Sequence, residues 1–181
     1  DPQRGIVLLG GISKHFHWSN IDVAQQVHKI VSEAPQQQWL VIDSRRTPKA
    51  LRGHLNLPAN AKYVHWRDTQ PSWLTRQLSL SSSTWVTPDS ASMVYEALSF
   101  AGRVGVIELR PRWRRNKLAH GIRSLHALGY VGLVDKGPLC EQNLNKVALA
   151  EHKRCAKLIM QRWFSALLED ADSVSTAGGG V

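Results

Sequence analysis

The chain has 181 residues, enough for one domain with some extension. Hydrophobic residues make up 43% and charged residues 20%, a globular balance that excludes wholesale disorder. Lys and Arg outnumber Asp and Glu 23 to 14, a net charge of +9, and no apolar run approaches the roughly 18–20 residues a membrane span needs.

Gly5-Ile6-Val7-Leu8-Leu9, bounded by Gly10-Gly11, reads as a strand buried on both faces. Asn20 is a fair N-cap for a helix carrying Val23, Val27, Ile30 and Val31 up to Pro35. The unit then repeats. Trp39 to Asp43 is a second strand, leading into Ser44-Arg45-Arg46-Thr47-Pro48, and a helix is expected from Lys49 to Leu57. Lys62 to Trp66 is a third strand, and Pro71 to Leu80 is helical in pattern. Trp85-Val86-Thr87 is a short strand running into Pro88-Asp89-Ser90, with a helix expected from Ser92 to Phe100 and Gly102 as its left-handed terminator. Val104 to Leu109 is another strand, 116–128 a helix stopped at Gly129, and Tyr130 to Val134 a last strand.

Residues 141–169 place Leu144, Val147, Ala148, Cys155, Leu158, Ile159, Trp163 and Leu167 on one stripe of a long amphipathic helix. The tail, residues 171–181 with Gly178-Gly179-Gly180, is expected to be disordered. The fold class that follows is α/β: a Rossmann-like parallel sheet of about six strands over residues 1–140, helices on both faces, and a long C-terminal helix over 141–170. Asp1 precedes the first strand closely. That reads as a domain cut at a linker, without a signal peptide and with an N-terminal domain of the same protein missing.

An open parallel sheet binds ligands beyond the carboxyl ends of its strands, where strand order reverses. Three loops therefore matter. Gly10-Gly11-Ile12-Ser13-Lys14 offers backbone amides at Gly11, the Ser13 hydroxyl and the Lys14 ammonium to an anion. Its spacing fits neither a Walker loop nor a dinucleotide fingerprint, and a plain turn is the bland alternative. Ser44 to Pro48 carries Arg45 and Arg46, whose forks suit phosphate; the alternative is a solvated basic turn. The strongest segment is Asp89-Ser90-Ala91-Ser92-Met93-Val94-Tyr95-Glu96. Its helix start, with Ser90 and Ser92, is a natural diphosphate seat, and Glu96 one turn on is within reach of ribose hydroxyls. Against this stands a simple cap, with Glu96 complementing the helix dipole.

Asp89 to Ala97, taken with Ser44-Arg45-Arg46-Thr47-Pro48 and Gly10 to Lys14, resembles the bacterial relatives of the plant mitochondrial fission protein called "elongated mitochondria". The likeness runs over most of residues 5–135. That family is similar to GT-B glycosyltransferases, which pair two Rossmann-like domains. The resemblance implies that the chain is the C-terminal, nucleotide-binding half of such a protein and has no catalytic residues assignable on its own. It implies a nucleotide-diphosphate sugar as substrate, with no separate cofactor required. Ser90 and Ser92 would face the diphosphate and Glu96 the ribose. Ser13 and Lys14 would face the phosphates, and Arg45 and Arg46 match the family's paired arginines. Two departures stand out. Gly102-Arg103-Val104 lacks the usual Gly-x-Pro proline, and Gln70-Pro71-Ser72 replaces Asn-Pro-Tyr. They favour the alternative, a non-enzymatic protein- or membrane-interaction module that keeps the fold.

The charge concentrates in Arg110-Pro111-Arg112-Trp113-Arg114-Arg115-Asn116-Lys117. Cations around an aromatic suit single-stranded nucleic acid, yet no nucleic-acid module is visible. A solvated basic face, or peripheral contact with anionic headgroups at the inner face of the membrane, is the preferred reading. His15-Phe16-His17 has no further ligand at metal spacing, so no metal is expected. Trp66, Trp73, Trp85 and Trp163 read as core. Asp43 and Asp89 have no partner that spacing alone identifies. Two cysteines cannot build a disulfide framework and point to the cytoplasm, with Cys140 and Cys155 as inert buried thiols. A long helix left without its partner domain would favour a dimer.

Overall fold

The computed structural model describes residues 3–142 and 144, apart from 71 and 101. Six strands make one parallel sheet: β1 (Arg4–Leu8), β2 (Gln38–Ile42), β3 (Ala61–Val64), β4 (Ser83–Val86), β5 (Arg103–Val106) and β6 (Val131–Leu133). Their order is β3-β2-β1-β4-β5-β6, so the winding direction reverses between β1 and β4. The helices are α1 (Asn20–Ser32), α2 (Leu51–His54), α3 (Trp73–Leu80), α4 (Ala91–Leu98) and α5 (Lys117–Ala127). The expected fold class is thus observed for the sheet and its helices. The long helix expected over 141–170 and the tail lie outside the described residues, except for Glu141, Gln142 and Leu144; the Glu141 N–H closes a turn on the Pro138 carbonyl at 3.0 Å. The Gln142 side chain clamps the β6 edge, accepting from the Leu133 N–H at 3.1 Å and donating to the Leu133 carbonyl at 3.0 Å.

Alternation along each strand divides the core in two. Val7, Leu9, Trp39, Val41 and Trp85 face α1 and Leu51 of α2. Ile6, Leu8, Ile42, Val86 and Val106 face Leu78 of α3, Val94 and Leu98 of α4 and Leu125 of α5. Both faces of β1 are therefore dry, as its unbroken apolar run requires. Each fully buried aliphatic side chain contributes about 1.5–3 kcal/mol by leaving water. The two core tryptophans lie on glycines of neighbouring strands. Trp39 pairs with Gly5 and Trp85 with Gly105, and a Cβ on either glycine would stand within 2.5 Å of the ring.

Several boundaries differ from expectation for identifiable reasons. Ser19, not Asn20, caps α1, its Oγ accepting from the Asp22 N–H at 3.2 Å, while Asn20 accepts from the Trp18 indole at 2.8 Å. The helix expected over 49–57 is a single turn, with Gly53 inside it and Pro58 soon after. β3 stops at Val64 because His65 and Trp66 turn toward Asp43. Gly102 is not left-handed: α4 ends at Ser99 in a right-handed cap, and Gly102 instead makes room for the Ser81 carbonyl. Gly129 does hold the left-handed position after α5, at φ 74°. Of the tryptophans read as core, Trp85 is buried, whereas Trp66 and Trp73 are only partly so. Cys140 is exposed. Cys155 and Trp163 lie outside the described residues.

Candidate functional site: the carboxyl edge of the sheet

The reversal between β1 and β4 brings three loops together, because each leaves the sheet at the same edge. Gly10 and Gly11 follow β1. The Gly10 N–H donates to Thr87 Oγ1 at 2.7 Å, and the Gly11 N–H donates to Asp89 Oδ2 at 3.0 Å. The Asp89 side chain is 0% exposed, and the same oxygen is 2.8 Å from Arg46 Nη2. The Gly11 amide, expected to face a ligand, is therefore held by a carboxylate of the protein itself.

The second loop explains why Gly11 is a glycine. Ser44 to Thr47 form a turn closed by the Thr47 N–H on the Ser44 carbonyl at 3.1 Å. Both hydroxyls point inward. Ser44 Oγ donates to the Gly10 carbonyl at 3.0 Å and Thr47 Oγ1 to the Leu9 carbonyl at 3.0 Å and to the Gly10 carbonyl. This docks the turn so closely that a Cβ on Gly11 would lie 1.9 Å from the Arg46 carbonyl oxygen. The two arginines at the turn's tip diverge. Arg46 goes to Asp89, and Arg45 lines a separate cavity over β2 and β3.

The third loop leads into α4. Ser90 occupies the N-cap position in extended conformation, but no side chain caps the helix. The Ser90 and Ser92 hydroxyls meet each other at 3.0 Å instead, and Ser92 and Glu96 are exposed. The first amides of α4 thus have no side-chain acceptor at the sheet's reversal point. Ser13 is half-buried and takes the His15 N–H at 3.2 Å, while Lys14 is exposed. Beyond them this loop pairs with the basic one: Phe16 bridges Pro111, Arg112 Nε donates to the Phe16 carbonyl at 3.1 Å, and Asn116, the N-cap of α5, binds the His15 carbonyl. Trp113 stays 45% exposed.

The cavity over β2 and β3 holds about 420 Å³. Ile42 is in register with Val64, so Asp43 and the residues after β3 meet just past the sheet. Asp43 accepts from the Tyr63 hydroxyl at 2.6 Å, His65 Nδ1 at 2.7 Å and the Trp66 N–H at 2.6 Å. Burial, then the hydrogen bond to the Asp43 carboxylate and its charge, push the Tyr63 phenol well above its ordinary pKa. Arg45, Lys49, Arg52 and Arg67 stand around the mouth. None of these four pairs with a carboxylate among the described residues. Arg52 lies 5.1 Å over the Tyr63 ring and Arg67 5.1 Å over the Trp66 ring.

Of the expected residues, the structure gathers Gly11, Arg46 and the Asp89–Ser90 corner at the reversal point. It sends Arg45 elsewhere. Lys49, Arg52, Tyr63, His65 and Arg67 escaped the sequence reading. Their one signal was that Asp43 and His65 each stand first beyond neighbouring parallel strands. Among the described residues no three of His, Cys, Asp and Glu gather as a metal-ligand set, and no helix is long and apolar enough to cross a membrane.

An open six-stranded parallel sheet that reverses at β1/β4, with loops converging there, defines a Rossmann-like domain, a fold consistent with one half of a GT-B-like protein. A family model described as Mitochondrial fission ELM1 matches residues 1–163. The chain belongs to that family. No curated protein matches it significantly.

Proposed function

We propose that this domain binds a nucleotide-diphosphate sugar and is the C-terminal half of a GT-B-like glycosyltransferase-type protein, with acceptor and chemistry supplied by another domain of the same protein. The observation that carries the reading is the uncapped first turn of α4 at the point where strand order reverses. Amides there, with the helix dipole behind them, favour a diphosphate. Ser90 and Ser92 add hydroxyls, Lys14 an exposed charge, and Ser13 a further hydroxyl on the β1 side. Glu96, exposed one turn along the same helix, suits a ribose diol. Gly11 and Arg46 serve this site indirectly: they fix Asp89, and Asp89 fixes the corner from which α4 starts.

Calorimetric titration with UDP, GDP and their sugar conjugates tests the reading. A measurable affinity that falls about tenfold in Glu96→Ala, the worth of one hydrogen bond to a charged group, supports it. No heat and no thermal shift at millimolar ligand contradicts it.

A second reading has its own observation. The Asp89 carboxylate occupies the Gly11 amide and the Arg46 guanidinium, two groups a phosphate would otherwise use. That arrangement suits an interaction module that retained the fold without nucleotide binding, presenting the 110–117 loop with its exposed Trp113 to a protein or a membrane at the cytoplasmic face. A partner lost on Trp113→Ala, in a protein that binds no nucleotide, favours this reading.

A further inference from the structure

The cavity over β2 and β3 has features that the reversal-point reading leaves unused. It is lined by neither Ser90, Ser92 nor Glu96. Its floor is an organised polar network, not a solvated surface. Asp43, 9% exposed, takes three hydrogen bonds from Tyr63, His65 and the Trp66 amide. The carboxylate selects the His65 tautomer with its proton on Nδ1, which leaves Nε2 as the polar atom of a side chain 41% exposed. Tyr63 and Trp66 supply two ring walls, each carrying an arginine on its face.

The charge is lopsided. Arg45 comes from the turn after β2, Lys49 and Arg52 from the segment through α2, and Arg67 from the turn after β3. Against these four cations the cavity lining contains one carboxylate, Asp43, and it is already saturated by its three donors. Four cations from three segments, none with a carboxylate partner, converge on one hollow and repel each other; an anion removes that cost. Guanidinium forks on two sides fit the tetrahedral oxygens of a phosphate, and the half-buried rings fit a planar or apolar remainder. The volume suits a small molecule.

We infer that this cavity is a second ligand site, separate from α4, for a phosphate monoester carrying a planar or apolar group. The phosphate lies among Arg45, Lys49, Arg52 and Arg67, and His65 Nε2 faces the ester. The same chemistry comes either from a free phosphorylated metabolite or from a lipid phosphate headgroup.

The test uses the full chain, with phenyl phosphate as the soluble probe and flotation with phosphatidylcholine vesicles containing 30 mol% phosphatidic acid as the lipid probe. The comparison protein is Arg52→Gln/Arg67→Gln, at two exposed positions without a carboxylate partner, and its thermal unfolding is expected to match wild type. Phenyl phosphate binding that shifts the ring-nitrogen resonances of His65, assigned with His65→Gln, and that weakens at least about tenfold in the double variant supports a soluble ester. Vesicle binding lost in the double variant, without phenyl phosphate binding, supports the site with a lipid source. Equal affinity of wild type and double variant for both probes, or displacement of phenyl phosphate by chloride at equal ionic strength, overturns it. UDP titration of the double variant separates the two sites. An unchanged UDP response beside lost phenyl phosphate binding supports a second site; loss of both together overturns its separateness.

Discussion

Two regions of one sheet edge solve the same problem in opposite ways. At the β1/β4 reversal, polar groups brace each other: Asp89 Oδ2 holds Gly11 and Arg46, while Ser44 and Thr47 cover the Leu9 and Gly10 carbonyls, and only the buried Asp89 Oδ1 among these groups has no partner. Over β2 and β3, both oxygens of Asp43 accept hydrogen bonds, but the cations around it have no carboxylate partner. The first region is therefore a brace whose open element is the α4 helix start. The second is a site whose electrostatics remain unfinished without an anion. Chain proximity does not decide which role a residue takes. Arg45 and Arg46 are adjacent, yet one belongs to each region.

Substitutions sharpen this contrast. The largest effect is expected where the brace is tightest. Gly11→Ala drives a Cβ into the Arg46 backbone carbonyl, which cannot swing aside as a side chain does. It should cost about 3 kcal/mol in urea unfolding, the upper end of overpacking penalties. Gly53→Ala is the control: nothing lies within 4 Å of its added Cβ, and the change should stabilise by up to about 1 kcal/mol. Equal effects at the two glycines would break the comparison.

Asp89→Ala should cost about 2 kcal/mol by the same assay, because it leaves the buried Gly11 N–H without an acceptor. Arg46→Ala should cost less than about 1 kcal/mol, since its side chain is 43% exposed. A reversed order would mean that the arginine, not the carboxylate, organises the corner.

The third test concerns pH. Tyr63 has its folded pKa raised above the ordinary value of about 10. The folded state therefore keeps a proton that the unfolded state releases. The contribution is fully present below about pH 10 and is lost as pH rises further toward the folded pKa. Urea midpoints measured from pH 8.5 to 11 should fall more steeply in wild type than in Asp43→Asn, which removes the carboxylate beside the phenol. Identical slopes would contradict the role given to Asp43. The smallest expected effect is on the second region's rim. Arg45→Gln or Arg67→Gln should change stability by no more than about 0.5 kcal/mol, because neither is paired with a carboxylate.

The sheet and its helices were legible in the sequence because parallel strands buried on both faces read as apolar runs, and Gly129 and Asn116 mark the ends of α5 in the usual way. The reversal-point loops were legible too, since the rule that ligands sit beyond strand ends directs attention to Gly10, Ser44 and Asp89. What escaped was contact between side chains distant in sequence. That Asp89 reaches Gly11 across 78 residues follows from the pairing of β1 with β4, where Leu8 stands in register with Val86 three residues earlier on each strand, a long-range pairing that no local pattern encodes. The basic cavity escaped for the same reason. Its residues come from three separate segments, of which only the Ser44–Pro48 turn forms a motif. The early end of β3 at Val64 follows from tertiary pull, the Trp66 amide turning to Asp43, against residues whose own preference is for strand.

The most direct test of the central claim, that the open group at the reversal point is the α4 helix start and not the Gly11 loop, is diffraction from crystals soaked in UDP. The account predicts diphosphate oxygens within hydrogen-bond reach of the Ser92 and Met93 amides, with the Gly11 N–H still on Asp89. A nucleotide seated on Gly11 with Asp89 displaced, or no nucleotide at this edge at saturating UDP, would contradict it.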